Sequence, residues 1–162
     1  MAKSLIETYT DELEFLISLK QAVSILNNRI HDKLSWIAIE KLKCIHPEIE
    51  LRYGGAGAGG IDIQGFSKDG TRRLIAEVKA THTSDTMPLR GPQKLAIERD
   101  LERLAAEKGD GLIRYLIVIS EQTKRAVERQ IKPGERFPGI TVLDAIGLVH
   151  LVTPDEQESD EP

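Results

Sequence analysis

The first 46 residues have the apolar spacing of α-helix. One seam of side chains recurs every three or four residues, formed by Leu16, Leu19, Val23, Leu26 and Ile30. We expect this seam to pack on the chain's own sheet, as the apolar face of an amphipathic helix usually does. The alternative is a homodimer contact through the N-terminal helix, residues 1–32, because a seam this regular suits helix pairing.

A second helical stretch is predicted over about residues 33–45. Asp32 or Ser35 is a suitable N-cap for it, and it must stop before Pro47. The pattern leaves open whether the two stretches form one long helix or two.

From residue 48 the pattern changes to the period of β-strands. Ile49 and Leu51 alternate with polar neighbours in a short strand that ends at Tyr53. A glycine-rich loop follows over residues 54–60. Two further strands, 61–66 and 72–80, are separated by the turn sequence Lys-Asp-Gly at 68–70, which predicts a hairpin.

The second half of the chain alternates helices and strands. Pro92 suits the first turn of a helix that runs to about Lys108, with an inner face of Leu95, Leu101, Leu104 and Ala105. The apolar run 115–120 predicts a buried strand, followed by a helix over about 121–132. Final strands are predicted at 140–143 and 148–152. This order predicts an α/β fold with a mixed sheet flanked by helices, in a single domain covering residues 1–153.

Composition narrows the class of protein. The net charge of −4 includes five acids in the last nine residues, so the rest of the chain is close to neutral and can still hold a basic groove. Residues 154–162 contain no apolar side chain and are expected to be an acidic disordered tail. A single cysteine, the absence of a long apolar run and the absence of a secretory signal pattern predict a cytoplasmic protein without a membrane segment.

The glycine-rich loop contains G-x-G-x-x-G, the fingerprint of dinucleotide-binding sites. That fingerprint requires a helix directly after it, because the helix N-terminus holds the pyrophosphate. Here the next residues, 61–66, have the pattern of a strand. We therefore expect no nucleotide cofactor.

Three charged residues on the predicted hairpin carry the clearest chemistry. Period 2 puts Glu77 and Lys79 on one face of their strand, with Ala76, Val78 and Ala80 on the other. Pairing around the turn places Asp62 opposite about position 76, within one residue of Glu77. Two carboxylates would then meet beside an ammonium group.

Such a trio favours metal-assisted hydrolysis. Adjacent carboxylates raise each other's pKa unless a cation lies between them, and a hard ion such as Mg²⁺ resolves the conflict. A bound metal lowers the pKa of water and steadies charge on a phosphate, while Lys79 can orient the attacking water. These residues predict a catalytic set of Asp62, Glu77 and Lys79 for phosphodiester hydrolysis.

The motif Asp62…Glu77-Val78-Lys79 resembles that of the PD-(D/E)xK nuclease superfamily, which includes type II restriction endonucleases and Holliday-junction resolvases. The resemblance spans about residues 33–120 and implies a restriction-endonuclease-like core of order α-β-β-β-α-β. It also implies a further metal ligand at Glu40 and a helix glutamine at Gln93. The position before the aspartate is Ile61, where many members have proline.

The expected function is that of a Mg²⁺-dependent endonuclease acting on DNA, with Mn²⁺ as a substitute metal and a homodimer as the working unit. Arg90 and Lys94, beside the predicted helix N-terminus, are candidate phosphate contacts, and His82 follows the motif closely enough to face the groove. Two alternatives remain open: a Holliday-junction or other structure-selective repair nuclease, and a binding or regulatory module that keeps the fold without catalysis.

Overall fold

A computed structural model describes residues 5–54, 60–83 and 88–145, with side chains from residue 12 onward. The final strand predicted at 148–152, the acidic tail and most of the glycine-rich loop lie outside these residues. Within the described ranges, no helix is both long and apolar enough to cross a bilayer.

The elements follow one another as predicted, with one additional short helix. Their bounds are α1 Leu5–Ile45, β1 Glu50–Tyr53, β2 Ile63–Phe66, β3 Arg72–Lys79, α2 Gly91–Ala106, β4 Ile113–Val118, α3 Glu121–Gln130, α4 Pro133–Arg136 and β5 Ile140–Asp144. The five strands form one sheet in the order β1-β2-β3-β4-β5. The first two pairings are antiparallel and the last two are parallel, which confirms the mixed sheet.

The sheet is covered on both faces, and its core is correspondingly divided in two. One apolar cluster packs α1 on the sheet through side chains that include Ala38, Leu42, Leu74, Ala76 and Val78. The other packs α2 and α3 on the opposite face through side chains that include Ile75, Ile97, Leu101, Leu116 and Val127. Alternate residues of β3 therefore face different helices, as period 2 requires.

The first helix is continuous from Leu5 to Ile45. The residues expected to cap a second helix are engaged otherwise: Asp32 accepts a 2.5 Å hydrogen bond from Tyr53 Oη, and Ser35 Oγ donates to the His31 carbonyl oxygen. Because the segment contains neither glycine nor proline, nothing interrupts the helical hydrogen bonds.

The expectation that the N-terminal seam packs on the sheet is wrong. Every residue from 12 to 30 is exposed, and Leu26 in the seam retains 57% of its surface. Only the part of α1 from about residue 34 contributes buried side chains to the core.

The predicted inner face of α2 also needs correction. Leu101 and Leu104 are buried as expected, but Leu95 is exposed and so is Ala105. Ile97 takes the buried position instead, because the helix meets the sheet along the stripe that contains residues 97, 101 and 104.

The β2–β3 hairpin differs from simple pairing by one residue. Phe66 pairs with Arg72, but Gly65 pairs with Leu74 and Ile63 with Ala76, because the register shifts between Gly65 and Phe66. This bulge moves the continuation of β2 by one position along β3. Asp62, directly before β2, is thereby brought opposite Glu77 rather than Ala76.

Gly65 stands at the tightest point of this hairpin. A Cβ there would lie 2.5 Å from Ile49 Cγ2 and 2.9 Å from Leu74 Cβ. We expect Gly65→Ala to lower the free energy of unfolding by about 1–3 kcal/mol, the range typical of overpacking, as measured by urea denaturation. Gly134→Ala is the matched control because a Cβ there meets nothing within 4 Å. Equal denaturation midpoints for the two variants would contradict this packing.

Candidate active site

Asp62 and Glu77 meet at the point where the β2–β3 hairpin opens. Glu77 lies on the central strand with only 1% of its surface exposed. Asp62 Oδ2 accepts a 2.8 Å hydrogen bond from the Val78 backbone N–H, which ties it to the same strand. The two carboxyl groups are close enough that each shifts the pKa of the other. The structure thus brings together the two acids singled out from the sequence.

The environments of the two acids drive their pKa values apart. Burial, and next the charge of Asp62, raise the pKa of Glu77 to about 8, although Arg103 opposes the shift. Burial also works against the charged form of Asp62, but hydrogen bonds from His31 and Val78 outweigh it and hold the pKa of Asp62 below its ordinary value. Near neutral pH the pair therefore favours an ionised Asp62 and a protonated Glu77.

His31 joins this pair from α1. Its Nε2 lies 3.4 Å from Asp62 Oδ2, and the hydrogen bond to Asp62 raises the pKa of His31 against the opposing effect of burial. The sequence offered no spacing that linked His31 to the motif, since it lies 31 residues before Asp62. Only the path of α1 across the sheet brings it here.

Asp100 and Arg103, both on α2, form ion pairs with Lys79 and Glu77 of the motif. Lys79 Nζ lies 2.5 Å from Asp100 Oδ2, while Arg103 bridges Asp100 at 2.7 Å and Glu77 Oε2 at 2.9 Å. The chain Lys79–Asp100–Arg103–Glu77 alternates basic and acidic side chains. Asp100 thus has two cations beside it, and Glu77, when ionised, has Arg103. Neither Asp100 nor Arg103 was identified from the sequence. A usable signal existed for Asp100, because it is a charged residue within the buried stripe of α2.

An open cavity of about 520 Å³ lies beside these groups. Asp62 and Lys79 reach it from the sheet, and its other side chains are mostly polar: Asn27, Asn28, His31, Thr81, His82 and Gln93. The predicted residues His82 and Gln93 therefore line the same cavity as the motif. Gln93 has a second role at the start of α2, because its Oε1 accepts a hydrogen bond from the Arg90 backbone N–H.

Two other candidates lie at the same end of α2 but outside the cavity lining. Arg90 is exposed directly before the helix, and Lys94 is half-buried in its first turn. Both stand near the positive end of the helix dipole, where backbone N–H groups favour anions.

The structure does not bring Glu40 to this site. Its side chain is 64% exposed and pairs with Lys43 at 2.7 Å. On an α-helix, residues nine apart are rotated by about 180° and separated by about 13 Å along the axis. Since His31 faces the cavity, Glu40 on the same continuous helix faces away from it.

The donor set suits a metal that takes few protein ligands. No group of three or more His, Cys, Asp or Glu side chains among the described residues is arranged around a common metal position. Two carboxylates are nevertheless adjacent, and in the described part of the chain Glu77 Oε1 accepts no hydrogen bond although it is buried. Mg²⁺ is commonly held by one or two carboxylates, with water and phosphate oxygens completing its shell. Asp62 and Glu77 fit that requirement.

The raised pKa of Glu77 predicts a pH-dependent stability. Its carboxyl group titrates near 4.5 when unfolded and near 8 when folded, so between these values the folded state holds more protons. The free energy of unfolding should therefore fall as pH rises from about 4.5 to 8 and level off above. Glu77→Gln should flatten this slope and be more stable than the parent at pH 9 by on the order of 2–4 kcal/mol.

Denaturant unfolding in EDTA at several pH values measures this effect. Glu102→Gln serves as the control because its side chain is exposed on α2. Parallel stability profiles for the parent and Glu77→Gln would contradict the assignment of a protonated, buried Glu77.

The chain matches no family model and none of the curated proteins. Among solved structures it is similar to the YaeQ protein from Xanthomonas axonopodis pv. citri, with a TM-score of 0.40 and 10% sequence identity. The similarity covers 76% of this chain and 63% of the YaeQ chain, so this chain spans less than two thirds of that protein's length. At this distance the likeness assigns neither family nor activity.

Proposed function

We propose that the chain is a Mg²⁺-dependent endonuclease that hydrolyses DNA phosphodiester bonds, with a restriction-endonuclease-like core. The observation that carries this proposal is the meeting of Asp62, directly before β2, with Glu77 on β3, where Asp62 and Lys79 line an open polar cavity. The order of elements α1-β1-β2-β3-α2-β4 is also the α-β-β-β-α-β order of the PD-(D/E)xK core. The sequence motif predicted the pairing of these two acids, and the hydrophobic pattern predicted this order of elements.

Asp62 and Glu77 are the residues that would hold the metal. Burial, and next the charge of Asp62, raise the pKa of Glu77, and a divalent cation between the two acids would favour the charged forms of both. When bound, the metal supplies a water of lowered pKa and neutralises negative charge on the phosphate. Mn²⁺ prefers similar oxygen ligands and is proposed as a substitute.

The remaining residues position these acids and the substrate. The Val78 N–H and His31 fix the Asp62 carboxylate, so its orientation is set before a substrate arrives. Asp100 holds the Lys79 ammonium at the cavity, where it can orient a water or contact a phosphate oxygen. Amide groups at Asn27 and Gln93 offer neutral hydrogen-bond donors in the same cavity.

A second candidate function is a nucleic-acid-binding module of the same fold without catalysis. The ion pair of Arg103 with Glu77 favours it, because the guanidinium already supplies a positive charge to one of the two acids. In that case the cavity would bind a phosphate backbone without cleaving it. Metal binding distinguishes the two functions, since only the nuclease requires it.

Nuclease activity is tested on supercoiled plasmid with Mg²⁺ or Mn²⁺ and an EDTA control. We expect metal-dependent nicking or cutting, lost in Asp62→Asn and reduced about 10²-fold or more in Lys79→Ala, the range usual for a group that positions or activates a nucleophile. Glu40→Gln should cut like the parent, because Glu40 faces away from the cavity.

Two control variants, Lys68→Ala and Glu40→Gln, accompany this test. Lys68→Ala removes an exposed lysine from the hairpin turn and controls for loss of positive charge. Undiminished cutting by Asp62→Asn or Lys79→Ala would disprove the proposed catalytic set. Loss of cutting in Glu40→Gln would return Glu40 to the site and contradict the helix phase described above.

Metal binding is tested separately by thermal unfolding. At 100 times the dissociation constant, a metal that binds only the folded state adds about 2.7 kcal/mol, which raises Tm by roughly 5–10 °C in a domain of this size. We expect this rise with Mg²⁺ or Mn²⁺ in the parent and in Glu40→Gln, but not in Asp62→Asn. No rise in the parent would favour the binding module.

A further inference from the structure

The N-terminal half of α1 projects from the domain with a large uncovered apolar surface. All residues from 12 to 30 are exposed, and nine of them are large and apolar: Leu13, Phe15, Leu16, Ile17, Leu19, Val23, Ile25, Leu26 and Ile30. A helix without tertiary packing is only marginally stable in water. Phe15 and the five seam side chains lie within about a third of the helix circumference, and an apolar patch of this kind marks an interaction site. The projecting helix therefore needs a partner.

The spacing of the seam identifies another helix as that partner. Leu16, Leu19, Val23, Leu26 and Ile30 occupy alternating three- and four-residue steps, the pattern of the contact positions in a two-helix coiled coil. Lys20 and Arg29, the charged residues between Leu16 and Ile30, lie outside these five positions. A globular partner would not require such regularity over four helical turns.

The seam continues into an apolar pocket where α1 meets the domain. This pocket, of about 390 Å³, is lined by Arg29, Ile30, Lys33, Leu34, Ile37 and Ile119. Two of its lining residues, Arg29 and Lys33, are basic. On the outer part of the same helix, Glu12 lies in line with the seam, four residues before Leu16, whereas Glu14 lies on the opposite side of the helix. The outer end of one such helix is thus complementary in charge to the base of another.

We propose that the seam binds a second copy of this chain, helix against helix and antiparallel. Antiparallel pairing brings the acidic outer end of each helix to the basic pocket of its partner, whereas parallel pairing would bring like charges together. The contact is isologous, as expected for a two-fold dimer. When the five half-exposed seam side chains and the pocket of each copy are covered, the dimer buries a total area on the order of 1,000 Å². This is the lower bound for a specific interface.

The antiparallel arrangement has a consequence for the cavities. Lys20, Ser24, Asn27 and His31 form a polar stripe about 100° around the helix from the seam, and its last two members line the cavity. The two-fold axis of an antiparallel pair is perpendicular to both helices. The polar stripes of the two copies therefore lie on the same side of the pair. With the pair centred between residues 21 and 25, the two His31 residues lie roughly 20–30 Å apart along the helices.

This spacing deepens the proposed function and rests on it. Two cavities on one side of the dimer can face the same duplex, and their separation is somewhat less than one turn of B-DNA, about 34 Å. Each subunit could then act on one strand. A parallel pair would put the cavities on opposite sides and could not do this.

Oligomeric state is measured on the full chain by sedimentation velocity over a concentration series. We expect a dimer for the parent, and at least about 100-fold weaker association for Leu19→Lys/Leu26→Lys, because two buried leucines would become charges. Ser18→Lys/Gln21→Lys adds the same charge at exposed positions at least about 120° around the helix from the middle of the seam and should stay dimeric. All three proteins should unfold thermally at similar temperatures at dilutions where the parent is monomeric.

The orientation is tested by disulfide formation in a Cys44→Ser background. Position 23 lies near the two-fold axis of an antiparallel pair, so Val23→Cys should crosslink the dimer. Copies of position 30 would be roughly 16–27 Å apart, too far for a disulfide, so Ile30→Cys should not crosslink. Crosslinking of both variants would indicate a parallel pair and overturn the proposal.

A monomeric parent at all concentrations, or a dimer unaffected by Leu19→Lys/Leu26→Lys, would overturn the proposal as well. These readouts do not depend on cleavage or on metal. A failed nuclease assay with an intact dimer would disprove only the proposed function, and the reverse result would disprove only the dimer.

Discussion

Glu77 is a carboxyl group almost fully removed from water on the central strand of the sheet, and the surrounding polar residues are arranged to accommodate it. An isolated charge at such a depth would be strongly destabilising, so the group either binds a proton or lies beside a cation. Both occur: its pKa is raised to about 8, and Arg103 contacts one of its oxygens. Asp100 on α2 lies in turn beside Arg103, and Lys79 on β3 lies beside Asp100, so the neighbouring charges are paired as well.

Asp62 makes this arrangement more costly, since a second acid beside the first opposes its ionisation. A fold selected only for stability would replace such a pair by apolar residues, which pack on a central strand without this penalty. Instead, Asp62 is held in place by a backbone N–H and by His31, at the wall of an open cavity. A destabilising pair fixed in position beside an accessible space is the physical reason to look for a ligand of positive charge there.

The sequence predicted the sheet and the motif better than it predicted the helices. Strand period alone assigned Glu77 and Lys79 to one face, because alternation is local. The register of Asp62 was off by one residue, since the bulge after Gly65 has no signature in the strand pattern. The exposed seam was wrongly assigned to the core, because spacing shows that a helix has an apolar face but not what covers it.

The errors and omissions around the site have a common origin in the path of α1. Period along a helix relates His31 to Glu40, but only the position of the helix over the sheet decides which of them faces the cavity. Asp100 and Arg103 depend in the same way on how α2 lies across β3. Local patterns thus identify which residues carry charge, while the packing of helices on the sheet decides which charges meet.

Because α1 is continuous, it links the exposed seam to the cavity beside the sheet. Its C-terminal half is anchored in the core by Ala38 and Leu42, its middle contributes Asn27 and His31 to the cavity, and its N-terminal half carries the seam. No glycine or proline lies between residues 5 and 45, so the helix has no built-in hinge at which the seam could move independently of the cavity. A partner bound along the seam would therefore fix the direction of the same helix that positions His31 against Asp62. In this fold, the exposed seam and the histidine that positions Asp62 belong to one continuous helix.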